Sequence, residues 1–170
     1  VELLQRAASL LKAGAGAVPE QIEKLQAEAD GLRRSLGEAQ RGGLEAEVAG
    51  LARGATAGAR GRWVVAEIAS RADAGAVRDA ADTLRETLRP GAVLLAVTGG
   101  DKLTFVAAVS DDLVSAGVLR ADDLVRAVAK VAGGSGGGKP HLALAGGKDP
   151  AKLADALAEA RRRLGEALGS

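Results

Sequence analysis

The sequence predicts an α/β (α+β-like) fold, with an N-terminal antiparallel helical hairpin followed by a small mixed β-sheet covered by helices. Two periodicities along the 170 residues support this prediction. Leucines recur at three- and four-residue steps in the first third of the chain, as on one face of a helix. From Gly61 onwards, Val- and Ile-rich runs alternate with new helical patterns, which is typical of a sheet packed against helices. We therefore expect two domains, residues 1–60 and residues 61–170.

The first predicted domain is a pair of helices joined by a short turn. The first helix is expected to end near Lys12, and the second to run from Pro19 to Arg41. The second helix carries a seam of alternating three- and four-residue steps, formed by Ile22, Leu25, Ala29, Leu32, Leu36 and Ala39. Gly42 and Gly43 break the phase of this stripe, which resumes at Leu44, Val48 and Leu51. Packing within the chain is the interpretation that we favour for the seam, and a homodimer is the alternative.

The second predicted domain has the element order β-α-β-β-α-loop-α. Strands are expected at residues 62–69, 92–97 and 103–109, the last two joined by a hairpin turn. Asp73 and Asp149 are expected to cap helices, because a carboxylate accepts the free N–H groups of a first turn. Pro150 suits the first position of the final helix. Shorter helical patterns begin at Ser110 and around Leu124, and residues 133–138 are expected to form a glycine-rich loop.

Composition excludes several classes of protein. The chain has no Cys, which excludes disulfides and thiolate metal sites, and no apolar run long enough to span a membrane. Its formal net charge of +1 is not that of a strongly basic nucleic-acid-binding domain, so any RNA contact is expected to be local. No secretory signal is visible, and a cytoplasmic location is expected. Because Val1 already lies inside a helical pattern, we expect the chain to be a fragment of a longer protein.

The most specific feature is the sequence VAGGSGGGKPHLALAGGKDP, from Val131 to Pro150. Its glycine cluster could be a flexible linker, since glycine has the most backbone freedom. However, the cluster lies between two amphipathic segments, and a second glycine pair follows it. Glycines placed in this way let a backbone approach a phosphate closely and can form an anion-binding nest. The residues alone leave both interpretations open.

No catalytic residue is expected in this segment. Gly133, Gly138 and Lys139 have the spacing of a P-loop, but Pro140 stands where Ser or Thr must hold magnesium. His141 is the only His in the chain, and no nucleophile-elbow motif accompanies it. Nucleotide hydrolysis and a Ser-His-Asp triad are therefore not expected.

We expect the remaining charged clusters to have structural roles. The acidic pairs at residues 111–112 and 122–123 lie at predicted helix starts, where carboxylates favour the positive end of the helix dipole. No metal site is expected from them. The three arginines at residues 161–163 are expected to form a solvated helix face, and they are weaker candidates for phosphate contact than Lys139 or Lys148.

The glycine-rich segment resembles the signature of the C-terminal globular domain of alanyl-tRNA synthetase. The resemblance is carried by Lys139-Pro140, by Ala143, Ala145, Gly146 and Gly147, and by Lys148-Asp149-Pro150. The phrase SDDLV from Ser110, followed by Gly117, is also similar to the family. With the helical hairpin, the resemblance covers residues 1–170. Leu144 and His141 depart from the family pattern, which commonly has Gln and often has Asp at those positions.

The resemblance implies a module that docks on the outer corner of tRNA(Ala) and supports aminoacylation and the editing of mischarged tRNA. The implied nucleic-acid-binding residues are Gly134, Gly136, Gly137, Gly138, Lys139, His141, Gly146, Gly147 and Lys148. The full-length protein would be an ATP-dependent ligase, whose ATP site and zinc ligands lie upstream, so this chain itself would hold no cofactor and be non-catalytic. Its implied partners are tRNA(Ala), the upstream domains and a second copy bound through the helical domain. The alternative is a structural dimerisation module with little RNA binding of its own.

Overall fold

The computed structural model describes residues 2–69 and 71–169 and divides into two compact units, Val1–Ala39 and Gln40–Ser170. The division falls inside the second helix. We predicted a domain boundary between residues 60 and 61 from the change in periodicity, and that boundary stays a prediction.

The first unit is helical and buries little apolar surface. Helix α1 spans Glu2–Leu10, a 3₁₀ turn spans Ala15–Ala17, and helix α2 begins at Val18 and ends at Arg53. Ala8 and Val18 are buried. Several large apolar side chains of this unit are exposed, namely Leu3, Leu4, Leu10, Ile22, Leu25, Leu32 and Leu36. The predicted seam on the second helix is therefore largely open to solvent, and the favoured interpretation that it packs within the chain was wrong for Leu32 and Leu36.

The prediction that the second helix ends at Arg41 was wrong. Helix α2 continues through Gly42 and Gly43 to Arg53. A glycine in a helix interior costs about 1 kcal/mol relative to alanine. Leu44 beyond the glycines is buried in a core cluster of the second unit. Burying a leucine stabilises the folded state by roughly 1.5–3 kcal/mol, which offsets the cost of the glycines. The core that buries Leu44 is not visible in the local sequence.

The second unit is a six-stranded mixed sheet with helices on both faces, which confirms the predicted fold class. Its elements are β1 Thr56–Gly58, β2 Gly61–Glu67, α3 Ala74–Thr87, β3 Gly91–Gly99, β4 Lys102–Val109, α4 Asp111–Ser115, α5 Ala121–Val131, β5 Ser135–Lys139, β6 Leu142–Gly147 and α6 Leu153–Leu168. The strand order is β1-β2-β3-β4-β6-β5. Strands β2 and β3 are parallel, and the other neighbours are antiparallel. Three of the six strands, β1, β5 and β6, were not predicted.

Each face of the sheet has its own apolar core, because successive strand residues point to opposite sides. Leu94 and Phe105 are fully buried on the face that is covered by α5 and α6. Val93 and Val106 are fully buried on the other face, with α3 and the last turns of α2. The strand order places β5 at one edge of the sheet.

The predicted helix starts are confirmed at two capping residues. The Asp73 carboxylate accepts a hydrogen bond of 2.8 Å from the N–H of Ala76 at the start of α3. The Asp149 carboxylate accepts one of 3.0 Å from the N–H of Ala151, in the turn before α6. Both caps satisfy N–H groups that have no partner within the helix.

Candidate nucleic-acid interface

The glycine-rich segment that we predicted to be a loop is largely the edge strand β5. It pairs antiparallel with β6 from Ser135 opposite Gly146 to Lys139 opposite Leu142. The prediction failed because glycine has little intrinsic strand preference, whereas the pairing with β6 is a non-local interaction. As an edge strand, β5 presents one row of backbone N–H and C=O groups away from the sheet.

Most of the glycines in this segment are required by close packing. A Cβ atom added at Gly134 would collide with the carbonyl oxygen of Gly146, and one at Gly136 with the side chain of Ala145. At Gly138, an added Cβ would lie 2.7 Å from the Cα of Ala143. These glycines therefore allow β5 to approach β6, and their presence does not by itself require a bound phosphate.

Three further glycines, at positions 133, 137 and 147, differ from one another in what surrounds them. An added Cβ at Gly137 would meet no atom within 4 Å, so packing does not explain the absence of a side chain there. Gly133 has a φ of +64°, a conformation that glycine adopts without the steric cost of a side chain. Gly147 is packed against α5, since an added Cβ would lie 2.9 Å from the Cβ of Ala132.

Backbone hydrogen bonds fasten both ends of the β5–β6 hairpin to α5. The Gly134 N–H donates to the Ala129 carbonyl at 2.8 Å, and the Lys148 N–H donates to the Ala132 carbonyl at 2.9 Å. At the opposite end, the Pro140 carbonyl accepts from the N–H of Ala121 at 2.7 Å, at the start of α5. The hairpin is therefore a built part of the sheet, and the flexible-linker interpretation is wrong.

The structure separates the two lysines of the predicted site. Lys139 ends β5 beside the turn that contains the half-buried His141, whereas Lys148 follows the far end of β6. Lys139 lies opposite Leu142, and Leu142 precedes Lys148 by six residues. At about 3.3 Å per strand residue, the two lysine backbones lie roughly 20 Å apart. They can therefore reach two separated phosphates but cannot share one.

Both lysines are exposed and free of ion pairs within the described part of the chain. No salt bridge joins Lys139 or Lys148 to a carboxylate among residues 2–69 and 71–169. Two of the three arginines of α6 differ, because Arg162 and Arg163 both pair with Glu159, at 2.7 and 2.6 Å, whereas no salt bridge joins Arg161 to a carboxylate among the described residues. The hairpin lysines thus keep their full charge for an anionic partner.

One aspartate of each acidic pair accepts hydrogen bonds from an arginine. Arg89 donates two hydrogen bonds of 3.0 Å to Asp112, and they lower the pKa of that carboxyl below its ordinary value. Arg120 donates two of 3.1 Å to the buried Asp122, with the same effect on its pKa. Both aspartates also lie in the first turn of a helix, as predicted.

The described residues do not fit a metal site or a membrane span. No group of three His, Cys, Asp or Glu side chains in residues 2–69 and 71–169 could hold a metal ion. Over the same residues, every helix is too short or too polar to cross a bilayer.

Sequence reasoning did not single out Lys102 at the start of β4. Its exposed side chain lines an open depression of about 730 Å³, together with Arg71 and Thr104. The alternation of side chains along β4 could have placed Lys102 and Thr104 on one face. That signal becomes informative only once β5 and β6 are known to extend the same sheet.

Comparison with known proteins supports the resemblance. A family model described as the DHHA1 domain matches residues 60–166. The chain is 39% identical over 169 residues to the alanine–tRNA ligase of Shewanella amazonensis, and 38% identical over 167 residues to that of Bordetella parapertussis. These alignments cover 97% and 98% of this chain but only 19% of each relative. The chain therefore spans about a fifth of the length of these relatives.

A solved structure is similar as well. The C-Ala domain from the alanyl-tRNA synthetase of Aquifex aeolicus is 30% identical and superposes with a TM-score of 0.55. The match covers 68% of this chain and 98% of that domain. The chain therefore belongs to the DHHA1 domain family and to the C-Ala domains of alanyl-tRNA synthetase.

Proposed function

We propose that this chain is the tRNA-binding appendage of an alanine–tRNA ligase. In this proposal, the β5–β6 hairpin contacts the outer corner of tRNA(Ala), and Lys139 and Lys148 each reach a phosphate. The observation that carries the proposal is the pair of exposed lysines, free of ion pairs in the described residues, at the two ends of an ordered edge hairpin. A lysine ammonium is a compact charge that binds phosphate and releases condensed counterions.

The appendage would act through the rest of the ligase. Its partners would be tRNA(Ala) and the upstream domains of the same chain, whose aminoacylation and editing reactions it would support by holding the tRNA. ATP and zinc would be bound by those upstream domains. The side chains described here offer a single imidazole, at His141, and no cluster suited to a metal. We therefore propose that the chain is non-catalytic by itself.

Binding to a tRNA(Ala) transcript tests this function directly. A gel shift of the full 170-residue chain at two salt concentrations is expected to show a complex that weakens as salt rises. A duplex RNA without a tRNA corner, at matched concentration, is the control and is expected to bind more weakly. Absence of a complex at the lower salt concentration would reject the proposal.

The non-catalytic part of the proposal has its own test. The purified chain is expected to support neither alanine-dependent ATP–pyrophosphate exchange nor deacylation of Ser-tRNA(Ala). When it is added to a ligase truncated before residue 1, it is expected to raise aminoacylation or editing only by improving tRNA binding. Deacylation by the chain alone that is retained in a His141→Ala variant would reveal a catalytic site that does not use His141.

A structural dimerisation module is the second candidate function. It is favoured by the apolar stripe on α2, where Leu32 is 71% exposed and Leu36 is 59% exposed. Apolar side chains in such a stripe are commonly buried by another helix. Sedimentation of the chain over a range of concentrations separates the candidates. A dimer that does not bind the tRNA(Ala) transcript would support this function, whereas a monomer that binds it would exclude it.

A further inference from the structure

We propose that RNA lies against the face of the β5–β6 hairpin turned away from α5, and that Lys102 is a third phosphate contact on this face. We call this surface the open face; it comprises Gly137 and Lys139 of β5, Leu142 and Leu144 of β6, and Lys102 and Thr104 of β4. The inference rests on the proposed tRNA binding and adds which side of the hairpin the RNA meets.

The strand register assigns each residue of the hairpin to a face. Residues directly opposite each other in an antiparallel pair share a face. Gly136 lies opposite Ala145, and this alanine is buried in the core cluster that includes α5. Gly137 lies opposite Leu144, which packs at the margin of the other core. Lys139, two residues along β5, shares the face of Gly137.

The two faces differ in the room that they leave for a ligand. On the α5 side, a Cβ at Gly136 would collide with Ala145, and a Cβ at Gly138 would lie 2.8 Å from the Cβ of Ala143. On the open face, a Cβ at Gly137 would meet nothing within 4 Å. Leu144 on this face remains half-buried, although it lies next to the central strand β4. Gly137 is half-buried, whereas Gly136 and Gly138 are exposed, so the two faces differ in the room beside a Cβ position and not in the exposure of the strand. The free space beside Gly137 is where the proposal places the RNA backbone.

The charges on the two sides also differ. Helix α5, on the closed side, begins with Asp122 and Asp123, and Arg126 is engaged by both of them. The open face carries Lys139 at one end. Lys102 lies at the other end of the sheet, because the adjacent Leu103 is opposite Gly147, the last residue of β6.

Lys102 lies on the open face by the alternation of β4. Leu103 is 1% exposed and belongs to the core on the α5 side, so its neighbours Lys102 and Thr104 point to the other side. The depression beside Lys102 is also lined by Arg71 and Asp73. The Asp73 carboxylate caps α3 and keeps its negative charge, so Arg71 and Lys102 leave this lining with one positive charge in excess for an anionic ribose–phosphate backbone.

Two variants of the full chain test this surface with the tRNA(Ala) transcript. Lys102→Ala is expected to reduce the slope of log affinity against log salt by about 0.7 to 0.9, the contribution of one phosphate. Gly137→Val is expected to weaken binding at least fivefold without lowering the melting temperature. The matched control is Lys130→Ala, which removes an exposed lysine from the last turn of α5 and is expected to leave the slope unchanged.

The inference is overturned if Lys102→Ala leaves the slope unchanged, whether or not Lys130→Ala reduces it. The proposed function would survive that result, since the unaltered chain would still bind the transcript. If the unaltered chain does not bind, the proposed function itself fails and the inference fails with it. If Gly137→Val lowers the melting temperature, the comparison of Lys102→Ala with Lys130→Ala decides the question alone.

Discussion

The ends of the β5–β6 hairpin carry two separated lysines and helix α6 carries three consecutive arginines, and the two groups differ in whether carboxylates pair with them. In α6, Arg162 donates to Glu159 at 2.7 Å and to Glu166 at 2.6 Å. In the hairpin, Lys139 and Lys148 have no acidic partner among the described residues. The number of cations in a segment therefore does not predict how strongly it attracts an anionic partner. Cations that are already paired with neighbouring carboxylates attract such a partner less.

The same two regions differ in what glycine does. Gly136 in β5 lies so close to β6 that an added Cβ would collide with Ala145. Gly165 in α6 has nothing within 4 Å of an added Cβ. A glycine-rich sequence can thus mark tight packing as well as freedom, and the partner element determines which of the two applies.

The largest expected effect is the opposite response of these two glycines to one substitution. Gly136→Ala is expected to lower the free energy of unfolding by about 1–3 kcal/mol or more, because the strands must separate to admit the methyl group. Gly165→Ala is expected to raise it by about 0.5–1 kcal/mol, the difference in helix propensity. Urea denaturation measures both. Equal effects of one sign would show that the two sites do not differ in packing.

A second prediction concerns the ion pairs of α6. Hydrogen bonds from Arg162 and then Arg163 lower the pKa of Glu159 from 4.5 to about 2. Because the folded pKa is lower than the unfolded one, this carboxylate stabilises the fold above about pH 4.5. The contribution is lost as the pH falls towards about 2.

The test is thermal denaturation of Glu159→Gln across that range of pH. The variant is expected to lose less stability than the unaltered chain between pH 4.5 and 2. Glu45→Gln, at a position for which the structure gives no hydrogen bond or ion pair in the described residues, is the matched control. Parallel curves for the Glu159 variant and the unaltered chain would show that the ion pairs do not lower this pKa.

The smallest expected effect is that of Arg162→Ala. Its ion pairs are about half exposed on the arginine side, and exposed helical ion pairs stabilise a protein only slightly. The loss of stability is therefore expected to be smaller than the effect of either glycine substitution. The salt dependence of tRNA binding should not change, because the charge is already paired. A smaller slope for this variant would mean that α6 also contacts RNA.

Local signals were sufficient to predict the elements of the second unit that depend on short-range chemistry. Asp73 and Asp149 cap helices where their positions indicated, and the β3–β4 hairpin turns at Gly100 and Asp101, between the two strands that were expected to form it. The pairing of Glu159 with arginines three and four residues later was not predicted, although the spacing is that of a helical ion pair.

Non-local packing accounts for what sequence reasoning missed. The strand β5 exists because its glycines fit against Ala143 and Ala145, and α2 continues past Gly42 because Leu44 reaches a core. Neither contact is visible in a local window. Lys102 was missed for the same reason, since its relation to the hairpin follows from the strand order β4-β6-β5.

The salt dependence of tRNA(Ala) binding by a Lys139→Ala/Lys148→Ala variant tests the central claim most directly. If each lysine neutralises one phosphate, the slope of log affinity against log salt is expected to fall by about 1.4 to 1.8 relative to the unaltered chain. Arg162→Ala, measured in parallel, is expected to retain the original slope. An unchanged slope in the double-lysine variant, with its melting temperature also unchanged, would contradict the claim that the edge hairpin binds the RNA.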